Sequence, residues 1–571
     1  MANYVIVGAG ASGLFTAWRL LTAGTLDLED TVCIYEWSDE HVGGRIHTSY
    51  FNSPAEGQYI EAGGMRFATD VAGGEIVGGH VLLQNLIDDL ELSDLVVPFV
   101  ESDERLYYLR GVNIWENLIP ETQLPYNFDQ NFLAMGYQKL TADQILGDVA
   151  AVFAPGSATG EGWTRAQWCD YYANGTLQDD LGGVFAAGTN IGDIGYWNLL
   201  YCYLGDQGFD YVSDANGYQS NVINWNSADA MQANNDFGST VSYMRLAGGY
   251  SILFDTLLAA IRQAANARGQ TAPVITMSTR LNLFATVPDT NQMACNFVDV
   301  NTDEQFQVIA DYLFLAMPRR SLEMVAEQCG ADNVLNDPTV MNYLQSSIDQ
   351  PAMRIGVLFE DAWWTDSSIV RFVPNTTDAA GGPTITDLPL RQVFYFGNNS
   401  VSEPQNGPYV MLASYDDMTY ASFWRELEIE GSRTTAPSLD YQALNGPTTL
   451  APGSTMENMV LSQLGTVHGL QPGASIPAPL QTIYMDWGTD PFGGGYHGWA
   501  AHYNICDVMG RVRAPSTEIL GQPQNLFIIG ACYSIDQAWV EGALCVAESV
   551  LEDYLGLPPF CPLPDGYVLI C

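Results

Sequence analysis

A glycine pattern at the start of the chain constrains the fold more than any other feature. An apolar strand, residues 4–7, runs into Gly8-Ala9-Gly10-Ala11-Ser12-Gly13, and apolar residues then recur at helical spacing as far as Leu21. In such a strand–turn–helix unit the first glycine permits the tight turn, the second lets the backbone approach a pyrophosphate, and the third allows close helix packing. The sequence therefore predicts a dinucleotide site at the start of this helix, contacted by Gly8, Gly10, Ala11, Ser12 and Gly13.

A second strand follows, Thr31 to Tyr35, and it ends at Glu36. An acidic residue at the end of the second strand of a βαβ unit typically accepts hydrogen bonds from a ribose 2′-hydroxyl. Its charge would repel the additional phosphate of NADP. Glu36 is therefore predicted to bind the ribose of the dinucleotide.

Later segments repeat the alternation of strand and helix. Strand patterns are predicted at 274–283, 311–316 and 526–529, and helices are predicted after the Gly248-Gly249 turn and at 540–555. The fold class is therefore α/β, α+β overall, with a Rossmann-type domain built from discontinuous segments. We predict three domains: a nucleotide-binding domain (1–68, 240–320 and 485–571), a β-sheet substrate domain (69–111 and 321–484) and an inserted helical domain (112–239).

Two motifs after Glu36 and one near the C-terminus carry a family resemblance. They are Val42-Gly43-Gly44-Arg45-Ile46-His47-Thr48, Glu61-Ala62-Gly63-Gly64-Met65-Arg66-Phe67 and Ala538-Trp539-Val540-Glu541-Gly542-Ala543. With them the chain resembles the flavin-dependent amine oxidase superfamily. The resemblance implies FAD in place of NAD, with Arg45 donating to the pyrophosphate and Trp539 beside the isoalloxazine ring. The cofactor contacts it implies, beyond the first fingerprint, are Gly43, Gly44, Arg45, Gly64, Met65, Arg66, Gly530, Trp539, Val540 and Ala543.

Two further stretches are similar to segments of the L-amino acid oxidases within that superfamily. The turn Gly63-Gly64-Met65-Arg66 implies that Arg66 binds the substrate carboxylate, and the stretch 381–391 leads to Tyr395, which matches the family's second carboxylate ligand. A guanidinium and a phenol hydroxyl suit a carboxylate that is buried beside a flavin, because an unpaired ion there is costly to desolvate. Since amines and polyamines have no carboxylate, this pair separates amino acid oxidases from amine oxidases.

The segment from Trp487 to Trp499 resembles the family loop that accepts a hydrogen bond from the substrate amine and supplies an aromatic wall. Trp499 is accordingly a candidate pocket residue, although packing in the core is an equal alternative. His497 is a candidate base, with the alternative of a histidine that only makes a structural hydrogen bond. This segment contains no cysteine that could attach a flavin covalently, so we expect dissociable FAD.

The chain departs from the family pattern at two positions. Gly530 is followed by Ala531 where the family has an acidic residue, so one acidic cofactor contact is missing. Arg354 stands where the family holds a lysine near flavin N5. An arginine keeps its charge and cannot act as a base, so Arg354 is predicted to be a cation at the flavin and not a proton acceptor.

Composition limits the partners that the chain can bind. There are 20 basic and 66 acidic residues, which gives a formal net charge of −46, and Lys139 is the only lysine. Nucleic acids and anionic membranes are disfavoured because their binding requires clustered lysine and arginine. No apolar run reaches the 18 or so residues that a membrane-spanning helix requires. No metal site is predicted. Family members are often dimers, so a homodimer or higher homo-oligomer is expected.

Neither the start of the chain nor its cysteines fix a compartment. No signal peptide is recognised, so a cytoplasmic protein and a secreted protein that has been processed are both compatible with the sequence. The ten cysteines form no C-x-x-C pair and are predicted to be mostly small buried residues. Cys561 and Cys571 are candidates for a disulfide in the C-terminal tail.

The implied reaction is the FAD-dependent oxidation of an L-amino acid by O₂ to a 2-oxo acid, ammonia and H₂O₂. The strong negative charge predicts neutral substrates, apolar or aromatic and of broad range. Two alternatives remain within the superfamily: an amine or polyamine oxidase, and an amino acid 2-monooxygenase. A non-catalytic flavin-binding or storage protein is an alternative from another class.

Overall fold

A parallel sheet of five strands forms the centre of the nucleotide-binding part of the molecule. The computed structural model describes residues 2–51, 57–72, 75–157, 162–236, 242–399, 407–428, 444 and 446–571. All neighbouring strands of this sheet are parallel. Their order is Ile275–Thr276, Thr31–Tyr35, Asn3–Val7, Tyr312–Leu315 and Asn525–Ile528. Three of these strands are far apart in sequence, as the prediction of a discontinuous domain requires.

Alternate residues of this sheet face two different layers. Ile6, Ile34 and Phe314 pack against helices on one face, while Val5 and Leu313 belong to the core on the other face. The helices of the first face are Ala11–Thr22, Val81–Asp89, Ser251–Ala267 and Val540–Leu555. An antiparallel sheet covers the second face through residues such as Phe297: Thr279–Thr286, Met293–Asp299 and Gln305–Ala310. This layering confirms the predicted Rossmann-type α/β fold.

The second large body is a mostly antiparallel sheet of nine described strands. Its path is Thr448–Thr449, Gln481–Asp486, Ala352–Phe359, Tyr409–Asp417, Gln392–Gly397, Ala380–Thr386, Leu106–Leu109 and Val112–Trp115, with Thr376–Thr377 paired to Ala380–Thr386. Helices Thr419–Glu428 and Thr455–His468 contribute to the core on one face of it.

The described strands form three further sheets. One has the order Glu75–Gly79, Phe67–Ala72, Ser242–Leu246 and Val96–Pro98; the others pair Thr48–Tyr50 with Tyr59–Glu61, and Ser347–Gln350 with Tyr496–Trp499.

The described residues between 116 and 236 contain helices and isolated bridges but no strand. The α-helices here are Gln130–Met135, Ala142–Phe153, Arg165–Asn174, Tyr196–Leu204, Asp206–Ala215, Ser220–Ile223 and Ser227–Asp236. The remaining α-helices of the described chain are Arg319–Gln328, Pro338–Leu344, Ile505–Val512 and Pro515–Glu518. None of the described helices is both long and apolar enough to cross a membrane.

The division into three domains stays a prediction, although individual boundaries can be compared with the elements. The boundary between 111 and 112 cuts a hairpin, because Leu106–Leu109 pairs with Val112–Trp115 around a turn at Arg110 and Gly111. Both turn residues have positive φ, of 46° and 85°, which suits a tight hairpin turn. The boundary between 239 and 240 lies outside the described residues.

The disulfide expected between Cys561 and Cys571 is wrong. Cys571 pairs with Cys169, 402 residues earlier, while Cys561 is a buried free thiol. The tail reaches Cys169 because it runs beside the helix Arg165–Asn174, where the N–H of Ala166 donates to the carbonyl of Gly566 (3.0 Å). The bridge therefore fastens the C-terminus to the helical insertion.

Candidate functional site

The glycine fingerprint lies at one end of a cavity of about 440 Å³. Gly8 has a φ of +104°, and a Cβ there would lie 2.5 Å from the carbonyl oxygen of Ala316. A Cβ on Gly13 would lie 2.0 Å from the carbonyl oxygen of Gly8. These two glycines are therefore required by the packing of the turn against the next strand and the helix. Gly8 lines the cavity, while Gly13 lies behind it.

Gly10 is different, because the protein itself leaves space at this position. The nearest atom to a Cβ placed on Gly10 would be the Cα of Gly44, at 4.0 Å. Its backbone (φ −75°, ψ −176°) is one that any residue can adopt. A glycine that neither the backbone nor the packing requires, at the end of a helix facing a cavity, fits a phosphate group that approaches the main chain closely.

Glu36 lines the same cavity and holds the fingerprint loop. Its carboxylate accepts hydrogen bonds from the N–H of Ala9 (2.6 Å) and of Ser38 (2.8 Å). Burial raises the pKa of Glu36, while these backbone donors lower it in part. A carboxylate fixed in this way at the end of the second strand fits a ribose diol.

Most of the other predicted cofactor residues complete the wall of the larger cavity. They are Ala11, Ser12, Gly43, Gly44, Arg45, Gly64, Gly530, Trp539, Val540 and Ala543. Val540 begins a helix of 16 residues whose first turn therefore faces the cavity. The cavity thus meets the N-termini of two helices, which together favour an anionic ligand such as a pyrophosphate. Met65 and Arg66 lie instead on the neighbouring cavity.

Arg45 is half-buried and is held by a histidine. Its Nη1 lies 3.2 Å from Nδ1 of His497 and donates to the carbonyl of Gly495 (3.3 Å). His497 Nε2 lies 3.2 Å from a carboxylate oxygen of Asp349. Burial, supported by the charge of Arg45, holds the pKa of His497 at about 4, below its ordinary 6.5. A neutral imidazole can accept from Arg45 with Nδ1 while its Nε2–H faces Asp349. His497 thus supports Arg45.

This arrangement predicts a pH dependence of stability that depends on His497. Between pH 6.5 and about 4 the unfolded chain binds a proton that the folded His497 does not. The free energy of unfolding should therefore fall as the pH is lowered through this window, by at most about 1.4 kcal/mol per pH unit. Over the same pH range, the free energy of unfolding of the His497→Asn variant should fall less than that of the wild type. Denaturant unfolding at neutral pH and midway through the window measures the difference.

The comparison with the variant is needed because other buried groups act in the opposite direction. The pKa values of Glu61 and Asp229 are raised to about 7 by burial, so these groups favour the folded state as the pH falls. They are present in both proteins and cancel in the difference. An equal loss of stability in both proteins would show that His497 does not contribute.

A second cavity, of about 90 Å³, shares a wall with the larger one. The shared wall includes Arg45, Ile46, Gly64, Gly495 and Trp539. Trp539 stacks on Tyr243, with ring centroids 5.9 Å apart and planes 17° apart. A molecule in the smaller cavity would therefore lie beside whatever occupies this end of the larger one.

Two predicted cations, Arg66 and Arg354, meet in the smaller cavity. The guanidinium of Arg354 lies over the ring of Tyr415 (4.1 Å to the centroid) and donates to the carbonyl of Glu61 (2.9 Å). Arg66 lies over the rings of Tyr243 (4.3 Å) and Phe99 (5.1 Å). Burial lowers the pKa of Arg66, but the surrounding phenols and Glu101 outweigh that effect and raise it. The cavity can therefore bind an anion.

Tyr395, predicted to stand beside Arg66, is elsewhere. Its buried hydroxyl is hydrogen-bonded to Thr384 (2.8 Å) and to His468 (3.1 Å), within a core that does not line either cavity. Neighbouring residues of a strand point to opposite faces, and it is Phe394 whose side chain packs in the same core as Met65. Trp499 is also a core residue: it is fully buried and donates from Nε1 to the carbonyl of Ser534 (3.1 Å).

The phenols that do line the smaller cavity were missed by sequence reasoning. Tyr218 and Tyr415 meet edge-on, with ring centroids 5.3 Å apart, and Tyr250 and Tyr496 are two more. Asn221 and Trp225 come from the helical insertion. Of these phenols, only Tyr496 lies in a segment that the sequence assigned to the site, Trp487 to Trp499. Tyr218 follows a glycine of positive φ, Gly217, but nothing in its local sequence pattern points to a ligand.

The flavin-containing amine oxidoreductase family matches residues 11–434. Aplysianin-A of Aplysia kurodai is 23% identical over 582 residues, covering 97% of this chain and 90% of its own. Achacin of Lissachatina fulica is 22% identical and covers 97% of this chain and 93% of its own. L-amino-acid oxidase 4 of Hebeloma cylindrosporum is 22% identical, with 99% and 83% covered.

Solved structures share the fold over nearly the whole chain. A triple mutant of putrescine oxidase with a redesigned cofactor site superposes with a TM-score of 0.60 at 14% identity, covering 97% of this chain and 99% of its own. Cyclohexylamine oxidase from Brevibacterium oxydans IH-35A gives a TM-score of 0.57 at 13% identity, with 96% and 99% covered.

Proposed function

The chain belongs to the family of flavin-containing amine oxidoreductases, and we propose that it is an L-amino-acid oxidase with non-covalently bound FAD. The reaction converts an L-amino acid, O₂ and water to a 2-oxo acid, ammonia and H₂O₂. The observation that carries this proposal is the buried guanidinium of Arg66 in a cavity beside the cofactor wall. A simple amine offers nothing for this cation to bind, whereas an amino acid offers its carboxylate. The relative named L-amino-acid oxidase 4 supports the same choice.

The larger cavity fits FAD in several respects. Gly10 leaves space at a helix N-terminus for the pyrophosphate, Glu36 suits the ribose, and Arg45 supplies a cation. When bound, FAD accepts a hydride from the substrate and passes the electrons to O₂. The stretch from Trp487 to Trp499 contains no cysteine, which supports a dissociable cofactor.

The residues of the smaller cavity bind and orient the substrate. Arg66 takes the carboxylate, and Tyr415, which the structure brings close to both arginines, takes the role that we expected of Tyr395. Fixing the carboxylate directs Cα–H towards the wall shared with the cofactor cavity. Trp225, Trp487 and Tyr496 surround the site and exclude water, which favours the neutral amine as the hydride donor. Arg354 supplies charge and does not accept a proton, because a guanidinium remains protonated.

We propose neutral substrates, apolar or aromatic, of broad range. The aromatic lining of the cavity supports this range, as does the formal charge of −46, which repels L-glutamate and L-aspartate on approach. The partners are then a small L-amino acid and O₂. We propose a homodimer or higher homo-oligomer, located in the cytoplasm or, after processing, outside the cell.

The test is a visible spectrum of the purified protein, followed by anaerobic addition of L- and D-amino acids. A yellow protein that is bleached by neutral L-amino acids and not by their D-isomers is the expected result. Bleaching by simple amines alone would indicate an amine oxidase. Release of an amide and CO₂ in air would indicate a 2-monooxygenase. A flavin that no amino acid or amine bleaches would indicate a non-catalytic binding protein.

A further inference from the structure

The cation proposed to bind the substrate carboxylate already has a carboxylate partner. Nη1 of Arg66 lies 2.5 Å from Oε1 of Glu101. The Arg66 side chain is 8% exposed, whereas that of Glu101 is 34% exposed. Glu101 does not itself line the smaller cavity. It therefore approaches Arg66 from the solvent side, while Arg66 faces the cavity.

The backbone on both sides of Glu101 is fixed. The N–H of Phe99 donates to the carbonyl of Tyr243 (2.9 Å), and the N–H of Ser102 donates to the carbonyl of Gly382 (2.8 Å). The N–H of Gly382 donates in turn to Oγ of Ser102 (2.6 Å). Glu101 thus extends from an anchored segment, and its position beside Arg66 is built into the fold.

The smaller cavity is lined by cations, and Glu101 is one of the few acids near enough to balance them. Arg45 lies on the wall shared with the cofactor cavity, and Arg66 and Arg354 add two more guanidinium groups. None of the described residues that line the cavity is acidic. The carboxyl group of Glu61 accepts from the Thr48 hydroxyl (2.9 Å) and the Tyr250 N–H (2.8 Å). Burial raises its pKa to about 7 although the nearby charge of Arg354 lowers it, so Glu61 offsets Arg354 only in part. Arg66 and Arg354 are the two cations that face the proposed substrate, and Glu101 compensates the charge of Arg66.

We propose that Glu101 is a specificity-determining residue that limits the cavity to substrates with one carboxylate. With Glu101 in place, Arg66 and Arg354 carry one uncompensated positive charge, which matches the α-carboxylate of a neutral amino acid. A second carboxylate, as in L-glutamate or L-aspartate, would meet the charge of Glu101 without a free cation to balance it. This inference rests on the proposed oxidation of L-amino acids and assigns the basis of its selectivity.

The test is Glu101→Gln, which keeps the shape of the side chain and removes its charge. In this variant kcat/KM for L-glutamate relative to L-glutamine should rise about tenfold or more. KM for neutral substrates should fall, because Arg66 no longer has a competing anion. The matched control is Glu104→Gln: Glu104 lies on the same segment and accepts from Asn117 (2.8 Å), away from both cavities. It should leave the ratio unchanged.

A binding measurement separates this inference from the proposed reaction. Calorimetry with glutarate and with butyrate, a dicarboxylate and a monocarboxylate, needs no turnover. The ratio of their affinities should rise in Glu101→Gln, and adding Arg354→Met should reverse the rise by removing the second cation. An unchanged ratio in Glu101→Gln would overturn the inference. So would weaker binding of both ligands, because Glu101 would then only hold Arg66 in position. If the ratio rises but no L-amino acid is oxidised, the proposed function fails and the charge selectivity stands.

Discussion

Gly10→Ala should yield a folded protein that is purified without flavin. The backbone at Gly10 tolerates a side chain, and no protein atom lies closer than 4.0 Å to the added Cβ. The methyl group would instead occupy the space that a pyrophosphate needs against the helix N-terminus. We expect the visible absorbance of the wild type to be lost, with a thermal midpoint within a few degrees of that of the wild-type apoprotein.

Two other glycines provide the controls for this result. Gly510, in the helix Ile505–Val512, has no neighbour within 4 Å of an added Cβ and does not line the cavity. Gly510→Ala should keep its flavin. Gly13→Ala should not fold normally, because its Cβ would lie 2.0 Å from the carbonyl oxygen of Gly8. If Gly10→Ala binds flavin as tightly as the wild type, the fingerprint does not contact the pyrophosphate.

Arg66→Met should raise KM for neutral L-amino acids by about a hundredfold or more. Removing one partner of a buried charge pair leaves the substrate carboxylate desolvated without a counter-ion, which is costly. Methionine keeps an unbranched apolar side chain against Phe99 and Tyr243. Oxidation of a simple amine, however slow, should not be slowed further. Steady-state kinetics with an amino acid and with its decarboxylated amine measure both effects.

Arg110→Met is the matched control for Arg66→Met. Arg110 also has a carboxylate partner, Asp210 (2.8 Å), and a tyrosine ring, Tyr126 (4.2 Å), but it does not line either cavity. It should leave KM unchanged. If Arg66→Met lowers kcat/KM equally for the amino acid and for the amine, Arg66 maintains the shape of the site without binding the carboxylate.

The cofactor side of the molecule could be predicted from sequence because its signals are local. The strand Thr31–Tyr35 and the helix Val540–Leu555 have the bounds that their apolar patterns predict. The motifs around Arg45 and Trp539 predicted a flavin amine oxidase family, and the family match confirms it. Strand, turn and helix follow one another directly here, so the turn residues and the ligand site are fixed together.

The substrate side could not be predicted in the same way. Tyr395 follows a recognisable motif, but a shift of one residue along a strand moves a side chain to the opposite face. The structure directs Tyr395 to His468 and away from the cavity. Tyr218 and Tyr415 reach the cavity through long-range packing of the insertion and the large sheet, which leaves no periodic signal in the chain.

The order of strands in the parallel sheet also sets the order in which the protein can be completed. Asn3–Val7 is synthesised first, yet one of its sheet partners begins at Tyr312, and the strand beyond that begins at Asn525. At about 5–20 residues per second, roughly half a minute or more of translation separates the first strand from the last. The glycine turn therefore leaves the ribosome long before the helix that completes its cavity. A complete flavin site can therefore form only late in the synthesis of the chain.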